Sequence, residues 1–303
     1  MSKQQIKVSK RDINNFIKFA KKNPVVAGII IVLIIGVLAY GYIKQQQNAV
    51  TVPMDGLYVH YIDIGQGDAE LICCDGEYML IDGGEPAASD TLVSYLKSYS
   101  IDKLDYVVCT HAHSDHCGGL DAVVESFDVD TVFTSPYTEN SASYRIFTEA
   151  VEDAGLMLTV PEYGESFTLG EASFRFVGPL EDYESTNDDS LVMRLEYGDT
   201  SFLFTGDMSQ TAEHDLLDDG AKLRCDVLKV GHHGSYSSSC YQFLREVNPS
   251  IAVISCGEGN SYGHPHDAAL KRLNDVGATI YRTDLEGSIV IFSDGMKVER
   301  KAA

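Results

Sequence analysis

LDYVVCTHAHSDHCGGL, residues 104–120, runs from an apolar strand straight into a cluster of metal-binding side chain types. Tyr106–Thr110 reads as a buried strand, and Gly118-Gly119 marks the start of the next turn. A tight HxHxDH turn between them brings His111, His113, Asp115 and His116 into one small volume. Three imidazoles that close would repel one another if protonated. One or two divalent cations on the neutral rings remove that conflict, because imidazole and carboxylate are the usual ligands of Zn²⁺, Mn²⁺ and Fe²⁺.

Other strand ends carry complementary groups. SFLFTGD, residues 201–207, ends on Asp207, a carboxylate able to bridge two ions. DVLKVGHHGS, residues 226–235, ends on His232 and His233, of which one is expected as a ligand and the other against substrate or behind a ligand. GHPH, residues 263–266, opens a helix, where His264 and His266 lie beside free backbone N–H groups and suit an anion or a leaving group. Asp82 closes the strand YMLID and is expected to orient a ligand histidine through its second ring nitrogen. His60 and His214 stand alone and read as structural.

Around these motifs, strand-like and helical segments alternate from residue 51 to the end, an α/β pattern. It predicts one domain, 51–303, of two sheets with helices on their outer faces. Ahead of it, residues 1–24 hold seven basic groups and one acid, a basic tail expected to stay cytoplasmic. Residues 25–43, VVAGIIIVLIIGVLAYGYI, carry no charge. As a helix they would measure about 28 Å, the length of a transmembrane segment or uncleaved signal anchor. Residues 44–50 read as a short stalk, which places the domain outside a cell membrane.

The net charge of −22 divides unevenly, since residues 45–303 hold 15 basic and 44 acidic groups, a net of −29. Such a body excludes nucleic-acid binding by broad phosphate neutralisation, but not catalysis whose positive charge comes from bound metal. The seven cysteines are odd in number, lie largely in apolar runs and show no CxxC pair, so no disulfide framework is expected.

Taken together, these residues resemble the metallo-β-lactamase fold superfamily. Within it they resemble the soluble domain of ComEC-type competence proteins, the DNA-uptake channels of transformable bacteria. The stretches that carry the likeness are IDIGQGDAELI (62–72), LIDGG (80–84), residues 104–120, SLVMRLEYGDTSFLFTGD (190–207), DVLKVGHHGSYSSS (226–239) and YGHPH (262–266). The resemblance implies an αββα sandwich with a two-metal hydrolase site, filled by Zn²⁺ or Mn²⁺, or by Mg²⁺. It implies that His111 and His113 hold one metal and Asp115 and His116 the other. Asp207 would bridge them, and His232 or His233 would complete the second. The superfamily usually has a further histidine before the strand leading to the bridging aspartate. Here that region reads Asn187-Asp188-Asp189-Ser190, so Asn187 or Asp188 is the candidate substitute.

The expected activity is that of a membrane-anchored, outward-facing phosphodiesterase on DNA, using metal-activated water. Asp115, His264 and His266 are its candidate catalytic groups. The same site suits choline-phosphate esters, other small or surface phosphoesters, lactones or β-lactams. A third expectation is a weakly catalytic domain that binds a surface partner. Of partners, the sequence points only to a phosphodiester and the membrane.

Overall fold

The structure, a computed structural model, describes residues 10–47, 55–136 and 141–302, with side chains from residue 15 and a gap in them at 38–54. Residues 1–50 and 51–303 form two compact units.

The first unit consists of helices Lys10–Lys22 and Pro24–Gln47. The expected span 25–43 lies inside the second of these, whose described side chains end at Val37. Among the described residues no helix is long and apolar enough to cross a membrane. The transmembrane segment therefore does not carry over as a structural finding. The expected stalk is helical to Gln47 and otherwise lies outside the described residues.

The second unit is a sandwich. One sheet has eight strands in the order Val298–Lys301, Ile289–Ser293, Leu57–Tyr61, Glu70–Cys74, Glu77–Ile81, Lys103–Cys109, Asp128–Thr134, Leu158–Thr159. The other has seven, in the order Thr279–Arg282, Ile251–Ile254, Val227–Lys229, Thr200–Phe204, Val192–Tyr197, Ala172–Gly178, Ser166–Leu169.

Strand alternation sorts the apolar residues into three layers. Val59, Ile72, Ile81 and Val108 from the first sheet meet Phe174, Phe176, Met193 and Phe204 from the second, forming the central core. Leu71, Leu80 and Val107 face the other way, onto Leu92, Leu96, Leu120 and Phe147 of the outer helices. Leu203, Leu228 and Ala252 do the same on the second sheet, against Leu216, Phe243 and Leu273. Each sheet thus has one face on its partner and one on helices, the expected αββα arrangement. All seven cysteines are buried free thiols. Ser166–Leu169, Thr279–Arg282 and Val298–Lys301 are edge or near-edge strands absent from the expected set; they are short, and Val298–Lys301 is largely charged.

Strands Glu77–Ile81, Lys103–Cys109 and Asp128–Thr134 are mutually parallel, as are Thr200–Phe204, Val227–Lys229 and Ile251–Ile254. Parallel strands finish at one edge of their sheet, so Asp82, the HxHxDH turn, Asp207, the His232-His233 turn and Ser255 all emerge at strand C-termini, where open α/β sheets place their ligands.

Candidate metal centre

The loops that close these strands are held in unusual backbone conformations. Asp82 has φ 56°, which aspartate tolerates. His232 and His233 are both left-handed, at φ 50° and 52°, a conformation costing of order 1–3 kcal/mol per residue and common at functional sites. Gly206 has φ 49°, and a Cβ there would meet the Ser190 side chain at 2.8 Å, so TGD needs its glycine.

His116 is fully buried and lies at the centre of the cluster. Its Nδ1 donates to Asp82 Oδ2 at 2.7 Å, while Thr110 donates from N and Oγ1 to Asp82 at 2.8 and 2.6 Å. This fixes the ring so that Nε2 points at Asp207 Oδ1, 3.2 Å away. His233 is oriented in the same manner, with Nδ1 at 3.0 Å from the Ser255 carbonyl and 3.1 Å from Asp68 Oδ1. Its Nε2 lies 3.3 Å from Asp115 Oδ2 and 3.5 Å from Asp207 Oδ1. His111 Nε2 is 3.2 Å from His113 Nδ1, and its own Nδ1 faces Thr110 Oγ1 and Ser190 Oγ at 3.1 and 3.3 Å.

His116 Nε2, His233 Nε2 and Asp207 Oδ1 are buried and lack any hydrogen-bond partner. Buried polar atoms are normally paired, and here three converge on one space. Two ligand atoms bound tetrahedrally at 2.0–2.1 Å lie about 3.4 Å apart, close to the 3.2 and 3.5 Å between Asp207 Oδ1 and the two ring nitrogens. Four overlapping ligand groups result among the described residues, and two of them, His111–His116–Asp207 and Asp115–His116–His233, meet on His116. The donor set therefore fits two adjacent divalent cations.

Burial opposes charge on His116 and His233, yet Asp207 and Asp82 carry the first well above its ordinary value. Asp207 and Asp68 carry the second up to about 10. Without a metal, the acids hold protons on the very nitrogens a metal would use. His111, buried among other imidazoles, is held well below the ordinary value.

The structure assembles His111, His113, Asp115, His116, Asp207 and His233 in one place. Between the paired histidines it sets His233 in the cluster, while His232 Nε2 lies farther out, 3.7 Å from Asp207 Oδ2. Asp82 stands behind His116 as described. Asp188 is engaged elsewhere, its two oxygens accepting from Ser209 N and Oγ at 2.7 and 2.9 Å where that serine caps helix Gln210–Asp219. Ser190 Oγ stands against His111 and also accepts from Asp207 N at 3.0 Å. Asn187 lines the cavity with its Oδ1 buried and unpartnered. His264 also lines the cavity and is pushed down to about 4 by burial and by His233 and His232. His266 does not line it; its Nδ1 accepts from Tyr236 N at 3.1 Å. His60 packs against Tyr95 and Tyr99, and His214 Nε2 meets the Cys240 thiol at 3.8 Å.

Besides Ser190, an ion pair behind the site was not singled out from sequence. Lys229 Nζ donates to Asp68 Oδ2 at 2.5 Å, and both side chains are about 1% exposed. This ion pair supports His233 from behind. Its signals are a lysine inside the apolar run DVLKV and an aspartate between GQG and the strand Glu70–Cys74.

The cavity measures about 320 Å³, at the small end of ligand sites. Glu85, Asp115 and Asp207 lie on its wall with Gln66, Ser114, Asn187, Tyr262 and the histidines, and no lysine or arginine joins them.

The serine-rich loop beside His232 rests on Glu213. This buried carboxylate accepts from Ser239 N and, at 2.7 Å, from Cys240 N. Burial raises it to about 7. A carboxyl raised on folding stabilises fully below its unfolded value near 4.5, and that stability is lost as pH rises through 7. Glu213 should therefore withdraw about 3 kcal/mol between pH 4.5 and 8. Unfolding curves across that range should show the slope in the native chain and a flatter profile in Glu213→Gln. Parallel profiles would refute the assignment.

A model of the metallo-beta-lactamase superfamily matches residues 62–258. ComE operon protein 3 of Bacillus subtilis is 29% identical over 251 residues, which cover 76% of this chain and 32% of that protein. Competence protein ComA of Neisseria gonorrhoeae is 30% identical over 276 residues, covering 87% of this chain and 36% of that one. The chain thus spans about a third of the length of the competence proteins it matches. Among solved structures, CmlA, a diiron beta-hydroxylase from Streptomyces venezuelae, superimposes with a TM-score of 0.53 at 14% identity, over 80% of this chain and 55% of that one, a likeness of fold alone. With the histidine and aspartate ligand groups at its strand ends, the chain belongs to the metallo-beta-lactamase superfamily, a metal-dependent hydrolase fold, and its relatives include competence proteins of the ComEC type.

Proposed function

We propose that the chain is a two-metal phosphodiesterase acting on DNA, anchored in a membrane by its amino-terminal helix with the catalytic body outside. The observation that carries the chemistry is the convergence of unpartnered His116 Nε2, His233 Nε2 and Asp207 Oδ1 where the ligand groups His111–His116–Asp207 and Asp115–His116–His233 meet on His116. His111, His113 and Asp207 would hold one ion, and Asp115, His116, His233 and Asp207 the other. Bound there, the ions supply Lewis acidity that activates water near neutral pH and offsets phosphate charge.

The protein's own groups do the rest. Asp82 and Asp68 fix the tautomers of His116 and His233. Ser190 aligns His111 and the backbone of Asp207. His264, kept neutral on the cavity wall, is placed to hydrogen-bond the departing oxygen. His266 contributes by holding Tyr236 N, not by reaching the cavity.

DNA as substrate is supported by the competence-protein relatives. Anchoring is supported by the helix Pro24–Gln47, where Val25, Ile29, Val32, Leu33, Ile35 and Val37 are all exposed, an apolar surface on every side that calls for lipid or protein cover. Full-length chain in detergent with Mn²⁺ or Zn²⁺ should cleave plasmid or single-stranded DNA, and His111→Ala should not. Equal cleavage by the two would refute the reading.

A second reading, hydrolysis of small phosphoesters, is favoured by the small cavity and its lack of cations. It predicts turnover of bis-p-nitrophenyl phosphate or choline-phosphate esters with no cleavage of DNA.

A further inference from the structure

We propose that Tyr262 and Tyr236 form a stacking platform beside the metal centre, which selects single-stranded DNA by its unpaired bases. The proposal rests on the phosphodiesterase reading above and names how that site would hold a polyanion.

The difficulty is electrostatic. The body carries a net charge of −29, and no lysine or arginine lines the cavity. A strand held by its phosphates needs a cationic track. Base faces need none, since every base presents a π-surface and stacks on aromatic side chains without regard to sequence.

The structure offers such rings in the right place. From His233 in the metal cluster, His264 follows with ring centroids 6.0 Å apart and planes 30° from parallel. Tyr262 follows His264 at 5.6 Å and 19°. On the other side, His266 lies 5.0 Å from His264, and Tyr236 lies 5.1 Å from His266. The ring series thus begins at a metal-ligating position and ends on two tyrosines that are 60% and 64% exposed.

Their backbones are fixed while their rings face solvent. Asn260 Oδ1 accepts from Tyr262 N and His264 N at 3.2 and 3.0 Å, and Asn260 Nδ2 donates to the His264 carbonyl at 2.6 Å. Tyr236 donates its N–H to His266, and its carbonyl accepts from Arg272 and Gln210, both at 3.1 Å. A rigid exposed aromatic loses little conformational freedom on stacking. In a duplex the base faces are already occupied by neighbouring pairs, so the platform discriminates against it.

The test uses full-length chain in detergent with Mn²⁺, a single-stranded oligonucleotide, its duplex, and the same strand made abasic on both sides of the cleaved bond. The native chain should show a KM about tenfold higher on the abasic strand, the size of one lost stack. Tyr262→Ala should raise KM on the intact strand by a similar factor and show no further penalty on the abasic one, while Tyr262→Phe restores native behaviour. A 2-aminopurine base at the same position should lose fluorescence on binding to His111→Ala, and lose less on His111→Ala/Tyr262→Ala. The platform is overturned if the abasic penalty survives intact in Tyr262→Ala/Tyr236→Ala, or if duplex is cleaved with a KM as low as single strand. Cleavage of small phosphodiesters but not DNA would remove the platform and leave the hydrolase. No phosphodiester cleavage at all would remove the reading it rests on.

Discussion

Asp207→Asn is expected to lower kcat/KM by about 10³-fold and to reduce the bound metal below two ions per chain. One carboxylate oxygen of Asp207 faces both His116 Nε2 and His233 Nε2, and the other faces His232. An amide preserves the shape but brings N–H donors to one side, and its remaining oxygen carries no charge to hold two cations close together. The fold should survive, because Asp207 is tied to its surroundings through its backbone N–H on Ser190. Asp207 also heads the forces that raise His116 and His233 when no metal is bound. Metal uptake by the native chain must displace those protons, so affinity should fall as pH falls, and less steeply in Asp207→Asn. Metal content by mass spectrometry, measured beside kcat/KM and a thermal melt, checks the prediction. Two ions and activity within a few-fold of native would show that Asp207 does not join the metals.

The central features were legible because each was written in adjacent residues. HxHxDH puts four candidate ligands within six positions, and the apolar run before it forces them to a strand end. The parallel strands then gather the other motifs at the same edge, which is why Asp82, Asp207 and the paired histidines all arrive there. What stayed hidden depends on contacts between distant residues. The choice of His233 over His232 follows from Asp68, 165 positions away in sequence, and from the Ser255 carbonyl. Asp188 looked as suitable a substitute ligand as Asn187 until its carboxylate proved to be the partner of Ser209. Ser190 gave no signal at all, because a serine before a strand is ordinary until it is seen between His111 and Asp207. The reading of Pro265-His266 as a helix start was sound as local structure, since His266 does sit at the N-cap of Asp267–Asp275. Its ring turns to Tyr236 instead of the cavity. The missed edge strands are four residues each, too short for their pattern to stand out from loops.

Lys229→Met should destabilise the body by about 3–5 kcal/mol, the cost of leaving one partner of a buried ion pair unpaired. Lys229 Nζ is enclosed between Asp68 Oδ2 and the Val230 carbonyl at 2.5 and 3.2 Å, with no solvent to take over either contact. Burial pushes Asp68 upward, and Lys229, then His233, pull it down to about 2, so it is charged. Glu70, buried beside the pair, is raised well above its ordinary value by burial and by Asp68, and is therefore neutral. That neighbour makes the two single substitutions unequal. In Asp68→Asn, Glu70 keeps the rise due to burial but loses the part due to Asp68, and so ionises more readily opposite Lys229. In Lys229→Met, no second lysine or arginine among the described residues faces Asp68, and the His233 ring at 3.1 Å offsets only part of the lost charge. Asp68→Asn should therefore cost less stability than Lys229→Met, and Asp68→Asn/Lys229→Met should recover part of the loss because neither charge remains. Metal affinity should follow a different order. Both variants carrying Asp68→Asn loosen the Nδ1 contact that orients His233, and each should lose 10–100-fold in metal affinity, as is usual when a carboxylate behind a ligand histidine is removed. Urea unfolding in excess chelator measures the first order, and metal titration of the folded chain measures the second. Equal stability of Lys229→Met and the native chain would mean that Asp68 is neutral in the fold, and the charge balance drawn behind His233 would fall with it.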